Sequence, residues 1–225
     1  MYASWNAPLG DRGHSQELVL SFEKGRLSRL LVLPPLFDEH NKLRRQIVEV
    51  MRRLDRAGID SVLPDLPGCN ESPAPFENQS LTVWRAAVRE AANHFEATHI
   101  LAIRGGALLA PDHLPGFLYA PSKGRQILRA LLRARTIASR EAGREEKVES
   151  SLETGREEGL ELAGWHLSAE MIAQLEQADA PADPRLRIID QAVLGGPPLW
   201  LRAEPSEDPD QADALAAIIA MELVS

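Results

Sequence analysis

The residues with the clearest chemical meaning lie in one turn, Ala102-Ile103-Arg104-Gly105-Gly106, between two apolar runs. In many hydrolytic enzymes a strand, a sharp turn with the pattern G-x-S-x-G and a helix together expose a nucleophilic serine. Here the final glycine is present, alanine replaces the first, and Arg104 stands where the serine would be. A guanidinium stays protonated at physiological pH and has no lone pair to attack a carbonyl. The turn therefore predicts a hydrolase architecture that lacks its reactive atom.

Arg104 has two interpretations. As a binding residue, it would extend over the sheet edge beside the amides of Gly105 and Gly106 at the start of a helix, a position that favours carboxylate or phosphate. As a structural residue, it would pair with Asp38 or Glu39 in the loop after the second predicted strand, which normally builds the oxyanion hole. We favour the internal ion pair over ligand binding.

The other members of a serine-hydrolase triad are missing from their expected places. The triad runs in the chain order nucleophile, acid, histidine, and the histidine follows the last strand. That strand is predicted at residues 186–191, and all six histidines precede it, at positions 14, 40, 94, 99, 113 and 166. Asp179, Asp183 and Asp190 lie near the acid position but would orient no base. The sequence therefore does not predict a conventional triad.

Two other catalytic arrangements stay open. Cys69 lies in a Pro-Gly turn near the carboxyl edge of the sheet, where ligands bind, and Arg104 or a helix start would supply the electropositive setting that a reactive thiol needs. In the second arrangement, Glu39 and His40 would position a water molecule. The favoured interpretations are a semi-buried structural thiol and a solvated or hydrogen-bonded histidine.

Composition excludes several classes of function. The 225 residues are 44% hydrophobic and can bury the core of one domain, residues 1–225. A net charge of −8 argues against a nucleic-acid partner. A single cysteine and the lack of metal-ligand spacing predict no disulfide, metal or cofactor. With no transmembrane segment or signal peptide in the sequence, the expected location is the cytoplasm.

Apolar periodicity predicts alternating strands and helices. Strands are expected at residues 17–22, 29–34, 59–64, 98–103, 117–119 and 186–191, and helices at 40–57, 80–96, 123–139, 169–177 and 211–224. Asn41, Ser122 and Ser168 are expected to cap helices. Continuously apolar strands are typical of a buried parallel sheet. We therefore predict an α/β three-layer sandwich with a mostly parallel sheet.

A charged segment at residues 140–160 interrupts this pattern. It has too few apolar residues to form core alone, so it is interpreted as an exposed or mobile insertion, or the remnant of a cap.

Six short motifs follow one another between about residues 30 and 200. They are Pro34-Pro-Leu-Phe-Asp-Glu-His-Asn-Lys-Leu-Arg-Arg45, Pro64-Asp-Leu-Pro-Gly-Cys69, Arg104-Gly-Gly-Ala-Leu-Leu-Ala110, Pro121-Ser-Lys-Gly-Arg-Gln-Ile-Leu128, Leu162-Ala-Gly-Trp-His-Leu-Ser168 and Gly195-Gly-Pro-Pro-Leu-Trp200. In these motifs the chain resembles the exosortase A system-associated hydrolase family, type 2, in which arginine also occupies the nucleophile position. The resemblance implies an α/β-hydrolase fold and a setting among exosortase, PEP-CTERM sorting and exopolysaccharide export genes.

The chain departs from the family pattern in two places. Pro111 shortens the helix after the turn to Gly105–Ala110, and the order Lys123-Gly124 is reversed. The run Gly195–Trp200 is expected to hold the C-terminal segment across the sheet edge or to plug the pocket.

Two basic faces stand out in this acidic chain. The first comprises Lys42, Arg44, Arg45, Arg52, Arg53 and Arg56, and the second comprises Lys123, Arg125, Arg129, Arg133, Arg135 and Arg140. Both are interpreted as solvated faces paired with acids, with docking of an acidic partner, a polyanionic glycan or a phospholipid surface as the alternative.

Two hypotheses about function follow from the sequence. The first is a non-catalytic α/β-hydrolase-like protein of an exosortase-linked exopolysaccharide pathway, which binds a protein partner or an anionic small molecule at the degenerate turn. The second is a hydrolase of ester or acyl substrates that uses Cys69, or a water held by Glu39 and His40.

Overall fold

The computed structural model describes residues 1–143 and 148–224, which form nine strands and seven α-helices. The strands are β1 (Tyr2–Pro8), β2 (His14–Phe22), β3 (Arg29–Leu33), β4 (Asp60–Pro64), β5 (His99–Ile103), β6 (Gly116–Tyr119), β7 (Leu160–Leu162), β8 (Trp165–Leu167) and β9 (Leu186–Ile189). The helices are α1 (Asp38–Arg56), α2 (Leu81–His94), α3 (Gly124–Glu141), α4 (Val148–Glu158), α5 (Ala169–Gln177), α6 (Gln191–Leu194) and α7 (Pro209–Leu223). Short 3₁₀ turns lie at Phe76–Asn78, Arg104–Leu109 and Leu199–Leu201.

Seven strands form one sheet in the order β1-β2-β4-β3-β5-β6-β9. The strands from β4 to β9 are parallel to their neighbours, while β1 and β2 form an antiparallel hairpin joined to β4. The predicted mostly parallel sheet is therefore confirmed. Strand β1 was not predicted, because only Trp5 and Ala7 of its seven residues are buried.

Helices cover both faces of the sheet and complete the three layers. On one face, α1 packs on α7, and its predicted apolar positions Leu43, Ile47, Val50, Met51 and Leu54 are all buried. On the other face, α2, α3 and α5 enclose a second apolar cluster. Of the helices within the described ranges, none is long and apolar enough to span a membrane.

The predicted helix caps are only partly correct. Ser168 Oγ accepts a hydrogen bond from the Met171 amide, as expected of a cap. Helix α1 begins at Asp38, so Asn41 lies inside it and caps nothing. The N-cap of α3 is Lys123 rather than Ser122.

The charged segment contributes more to the core than expected. Residues 148–158 form α4, which packs on α5, with Leu152 against the apolar cluster and Gly155 buried. The hairpin β7–β8 follows and buries Leu162 and Leu167 completely. Gly155, Gly159 and Leu160 are buried, whereas the other residues of 148–160 whose exposure is described are exposed or half-buried. The interpretation of residues 140–160 as an insertion or the remnant of a cap stays a prediction, and residues 144–147 lie outside the described part of the chain.

We predict that Gly106 is required for the close approach of the turn after β5 to β3. A Cβ at Gly106 would lie 2.4 Å from Pro34 O and 2.6 Å from Leu33 O, both backbone atoms. Gly106→Ala should therefore lower the free energy of unfolding by about 3 kcal/mol. The matched variant Gly105→Ala meets the flexible Ile127 side chain first, at 2.8 Å, and should lose about 1 kcal/mol. Equal losses in urea unfolding would contradict this account.

Candidate functional site

The turn after β5 has the backbone of a nucleophile turn. Strand β5 ends at Ile103, and Arg104 has φ 52°, in the left-handed region that L-residues rarely adopt. A 3₁₀ helix follows over Arg104–Leu109, in place of a regular α-helix, and ends before Pro111. The abrupt strand-to-helix change therefore lifts the Arg104 side chain above the carboxyl edge of the sheet.

Arg104 forms a two-point ion pair with Glu39. Its Nε donates to Glu39 Oε2 and its Nη2 to Glu39 Oε1, both at 3.0 Å. Its Nη1 donates to the Ala120 carbonyl at 2.9 Å. Of the two acids predicted as partners, Glu39 forms the pair, while Asp38 Oδ1 accepts a hydrogen bond from Trp165 Nε1 at 3.0 Å.

Trp200 covers the guanidinium. The Arg104 Cζ lies 4.1 Å from the centroid of the Trp200 ring, within the range of a cation–π contact. Trp200 belongs to the 3₁₀ turn at Leu199–Leu201, which follows the last strand and the run Gly195-Gly-Pro-Pro. An indole thus lies over Arg104 from the segment that would carry a catalytic histidine.

His40 is buried and forms a polar cluster with Arg44, Asn70 and Asp65. Its Nε2 faces Arg44 Nη1 at 3.0 Å and Asn70 Nδ2 at 3.1 Å, and Arg44 also binds Asp65 at 2.7 Å. Because both neighbours of Nε2 are hydrogen-bond donors, this nitrogen is the acceptor and the ring is neutral. Burial, reinforced by the Arg44 charge, lowers the pKa of His40 to about 4. The lone pair that a general base would use is already engaged.

Cys69 does not have the setting of a reactive thiol. The residue is buried, and this burial, followed by the negative charges of Asp65 and Glu17, raises the pKa of the thiol. The charges that act on the thiol are negative, so they do not supply the electropositive setting that a reactive cysteine needs.

The acids near the expected triad position have other partners. Asp183 pairs with Arg185, and Asp179 pairs with Lys123. Asp190 is exposed at the N-cap of α6.

A cavity of about 410 Å³ opens beside the ion pair. The α3 wall consists of Gln126, Ile127, Ala130, Leu131 and Ala134, and the remaining lining comes from Leu36–Glu39, Lys42, Arg104, Ser122 and Trp200-Leu201. The Ser122 side chain is buried, and its Oγ has no hydrogen-bond partner within the described ranges. Since this oxygen has almost no accessible surface, it lies behind the cavity wall and does not contact a ligand in the cavity.

The sequence matches no protein-family model and no curated protein. The structure is similar to that of a protein from Agrobacterium vitis S4 named "putative hydrolase", with a TM-score of 0.60 and 11% identity over 99% of this chain and 98% of that one. It is also similar to mouse alpha/beta hydrolase domain-containing protein 10, with a TM-score of 0.57 and 12% identity over 84% of this chain and 77% of that one. The chain has the α/β-hydrolase fold.

A third similar structure, Est1E from Butyrivibrio proteoclasticus with bound ferulic acid, has a TM-score of 0.50 and 16% identity over 73% of this chain and 69% of that one. Identities this low establish the α/β-hydrolase fold alone. Within that fold, the nucleophile turn carries Arg104, the first turn of α1 after β3 carries Glu39, and the segment after the last strand carries Trp200.

Sequence reasoning did not find three of the contacts at this site. The Ala120 carbonyl, Trp165 and the stacking of Trp200 on Arg104 all come from segments distant in the chain. The rigid Gly-Gly-Pro-Pro run before Trp200 was the one available signal.

We predict that the Glu39–Arg104 pair stabilises the fold. The two side chains are 26% and 18% exposed, so the unpaired guanidinium left by Glu39→Gln would be partly solvated. The variant should lower the free energy of unfolding by about 2 kcal/mol, less than for a fully buried pair. The control is Glu176→Gln, which breaks the more exposed Arg156–Glu176 pair. It should change the free energy of unfolding by under about 0.5 kcal/mol. Equal effects of the two variants in urea unfolding would contradict a structural role.

We also predict that stability falls on acidification because of His40. Its folded-state pKa of about 4 lies below the unfolded value of about 6.5, so the unfolded chain binds the additional proton in that interval. Between pH 7 and pH 5, the wild type should lose about 2 kcal/mol more than His40→Gln does. His14 is exposed, so the control variant His14→Gln should lose as much stability between pH 7 and pH 5 as the wild type does. Parallel pH profiles for the wild type and His40→Gln would refute the prediction.

Proposed function

We propose that this protein is a non-catalytic α/β-hydrolase-fold protein that binds an anionic small molecule or a protein partner in the cavity beside its degenerate turn. The observation that carries the proposal is that Arg104 is paired with Glu39 and covered by Trp200. These residues come from the three segments that supply the oxyanion hole, the nucleophile and the histidine in catalytic members of the fold.

The chemistry of these groups supports binding rather than turnover. A guanidinium has no lone pair for attack, and an indole cannot act as a base at neutral pH. The Glu39 carboxylate accepts two charge-assisted hydrogen bonds from Arg104, which oppose its use in activating water.

The pathway is proposed from the ordered motifs between residues 34 and 200. On that basis, the protein serves a cytoplasmic step of an exosortase-associated exopolysaccharide system. Because Arg104 donates to Glu39 and Ala120, we assign it to the wall of the site, and the ligand would be held by other residues of the cavity.

The alternative of an unorthodox hydrolase receives no support from the geometry. Cys69 is a buried thiol with a raised pKa, and His40 Nε2 faces two hydrogen-bond donors. Neither group is in the state that its catalytic role would require.

An ester-turnover screen with 4-nitrophenyl esters of different acyl lengths, combined with fluorophosphonate labelling, tests the proposal. We expect no labelling and no turnover above the rate of the Arg104→Ala variant. An active serine hydrolase run in parallel shows that the reagents work. Turnover that is abolished by Cys69→Ala or Glu39→Gln would establish catalysis and overturn the proposal.

A further inference from the structure

The polar groups in the cavity wall fall into two sets. Arg104 and Glu39 bind each other, and Asp38 Oδ1 accepts from Trp165. The second set comprises Lys42 Nζ and Gln126 Nε2, which have no hydrogen-bond partner among the residues the structure describes. Both groups are hydrogen-bond donors. The cavity therefore favours a ligand group that is rich in acceptor oxygens.

The opposite wall favours an alkyl chain. On α3, Ile127 and Leu131 present apolar surface to the cavity, and Ala130 and Ala134 leave room beside them because their side chains are small. Leu36 and Leu201 extend the apolar surface, and Leu201 is 74% exposed. A volume of about 410 Å³ lies in the range of small-molecule sites, roughly 300–1,000 Å³.

The exposed face of α3 adds positive charge near this wall. Arg125, Arg129 and Arg133 are exposed and form no ion pair with any residue in 1–143 or 148–224. Each of them immediately precedes a residue of the cavity wall, which places it about 100° around the helix from that residue. The first basic face differs, because Arg45, Arg52 and Arg53 all pair with acids. Three unpaired cations would attract an anion to this part of an acidic protein.

We infer that the cavity binds a monomeric amphipathic anion, an alkyl chain that ends in a carboxylate or a phosphate. The chain lies along the α3 wall, and the acceptor oxygens are held by Lys42 and Gln126. This assignment rests on the proposed function and names the ligand class for the same site.

Titration calorimetry with decanoate, decyl phosphate and decanol tests the assignment, with acetate and inorganic phosphate as headgroups without a chain. The two decyl anions should bind with one-to-one stoichiometry, decanol about fivefold more weakly, and the two free headgroups not measurably. Binding of inorganic phosphate as tight as that of decyl phosphate would overturn the role of the chain. If the protein binds anionic vesicles but not monomeric decyl phosphate, the cavity is not the ligand site. The exposed arginines of α3 would then be assigned to binding a bilayer surface.

Matched variants test the contacts of the anionic headgroup and those of the alkyl chain separately. Lys42→Gln should weaken binding of both decyl anions about fivefold and leave decanol unchanged, whereas Arg89→Gln on α2 should change neither. Ala134→Trp fills the cavity and should abolish binding of all three ligands, while Ala86→Trp, also exposed on a helix, should not. Equal effects within either pair overturn the assignment.

A turnover assay with 4-nitrophenyl decanoate distinguishes failure of this inference from failure of the proposed function. Binding of the anions together with ester turnover keeps the ligand class and overturns the non-catalytic role. Neither binding nor turnover overturns the ligand class and leaves the non-catalytic role standing.

Discussion

The ion pair between Arg104 and Glu39 is the constraint on which the rest of the site depends. A left-handed turn after β5 lifts the guanidinium to the point where a fold of this kind would expose its nucleophile. The positive charge is then neutralised by Glu39 from the first turn of α1 and covered by Trp200 from beyond the last strand. Two contacts of Arg104 therefore join three segments that meet only in the folded state.

Two further features hold this arrangement in place. Gly106 lets the turn approach the backbone at the end of β3, where a methyl group would meet carbonyl oxygens. The hydrogen-bonded cluster of His40, Arg44 and Asp65 anchors the first turns of α1, which also carry Glu39. The acid that pairs with Arg104 is thus fixed by packing and by partly buried hydrogen bonds, which reduces the entropy cost of forming the ion pair.

The fold could be predicted because its signals are local. Apolar strands and amphipathic helices such as α1 show their period directly in the sequence, and the two glycines after Arg104 mark the turn. Strand β1 and helix α4 were missed because few of their residues are buried, so they lack a clear apolar period and are stabilised by packing on neighbours. Secondary-structure propensity depends on residues that are close in the chain, so it does not predict such tertiary contacts.

The site could be predicted only in part for the same reason. The sequence limited the partner of Arg104 to Asp38 or Glu39, but the choice depends on where α1 begins. The N-cap residue is Phe37, which has φ 56° and makes no side-chain capping hydrogen bond. The sequence therefore has no capping residue that indicates where α1 begins. The contact with Trp200 depends on how the chain crosses the sheet edge after β9, which no short motif specifies.

The most direct test of the central claim is a double-mutant cycle of unfolding free energies for Arg104→Met and Glu39→Gln. The Arg156–Glu176 pair, cycled in the same way, provides an exposed reference. If Arg104 is held by Glu39, the coupling energy should be about 1 to 2 kcal/mol and should exceed that of the reference pair. Effects of the two substitutions that add to within about 0.3 kcal/mol would show that the guanidinium is not tied to Glu39 and would contradict the account.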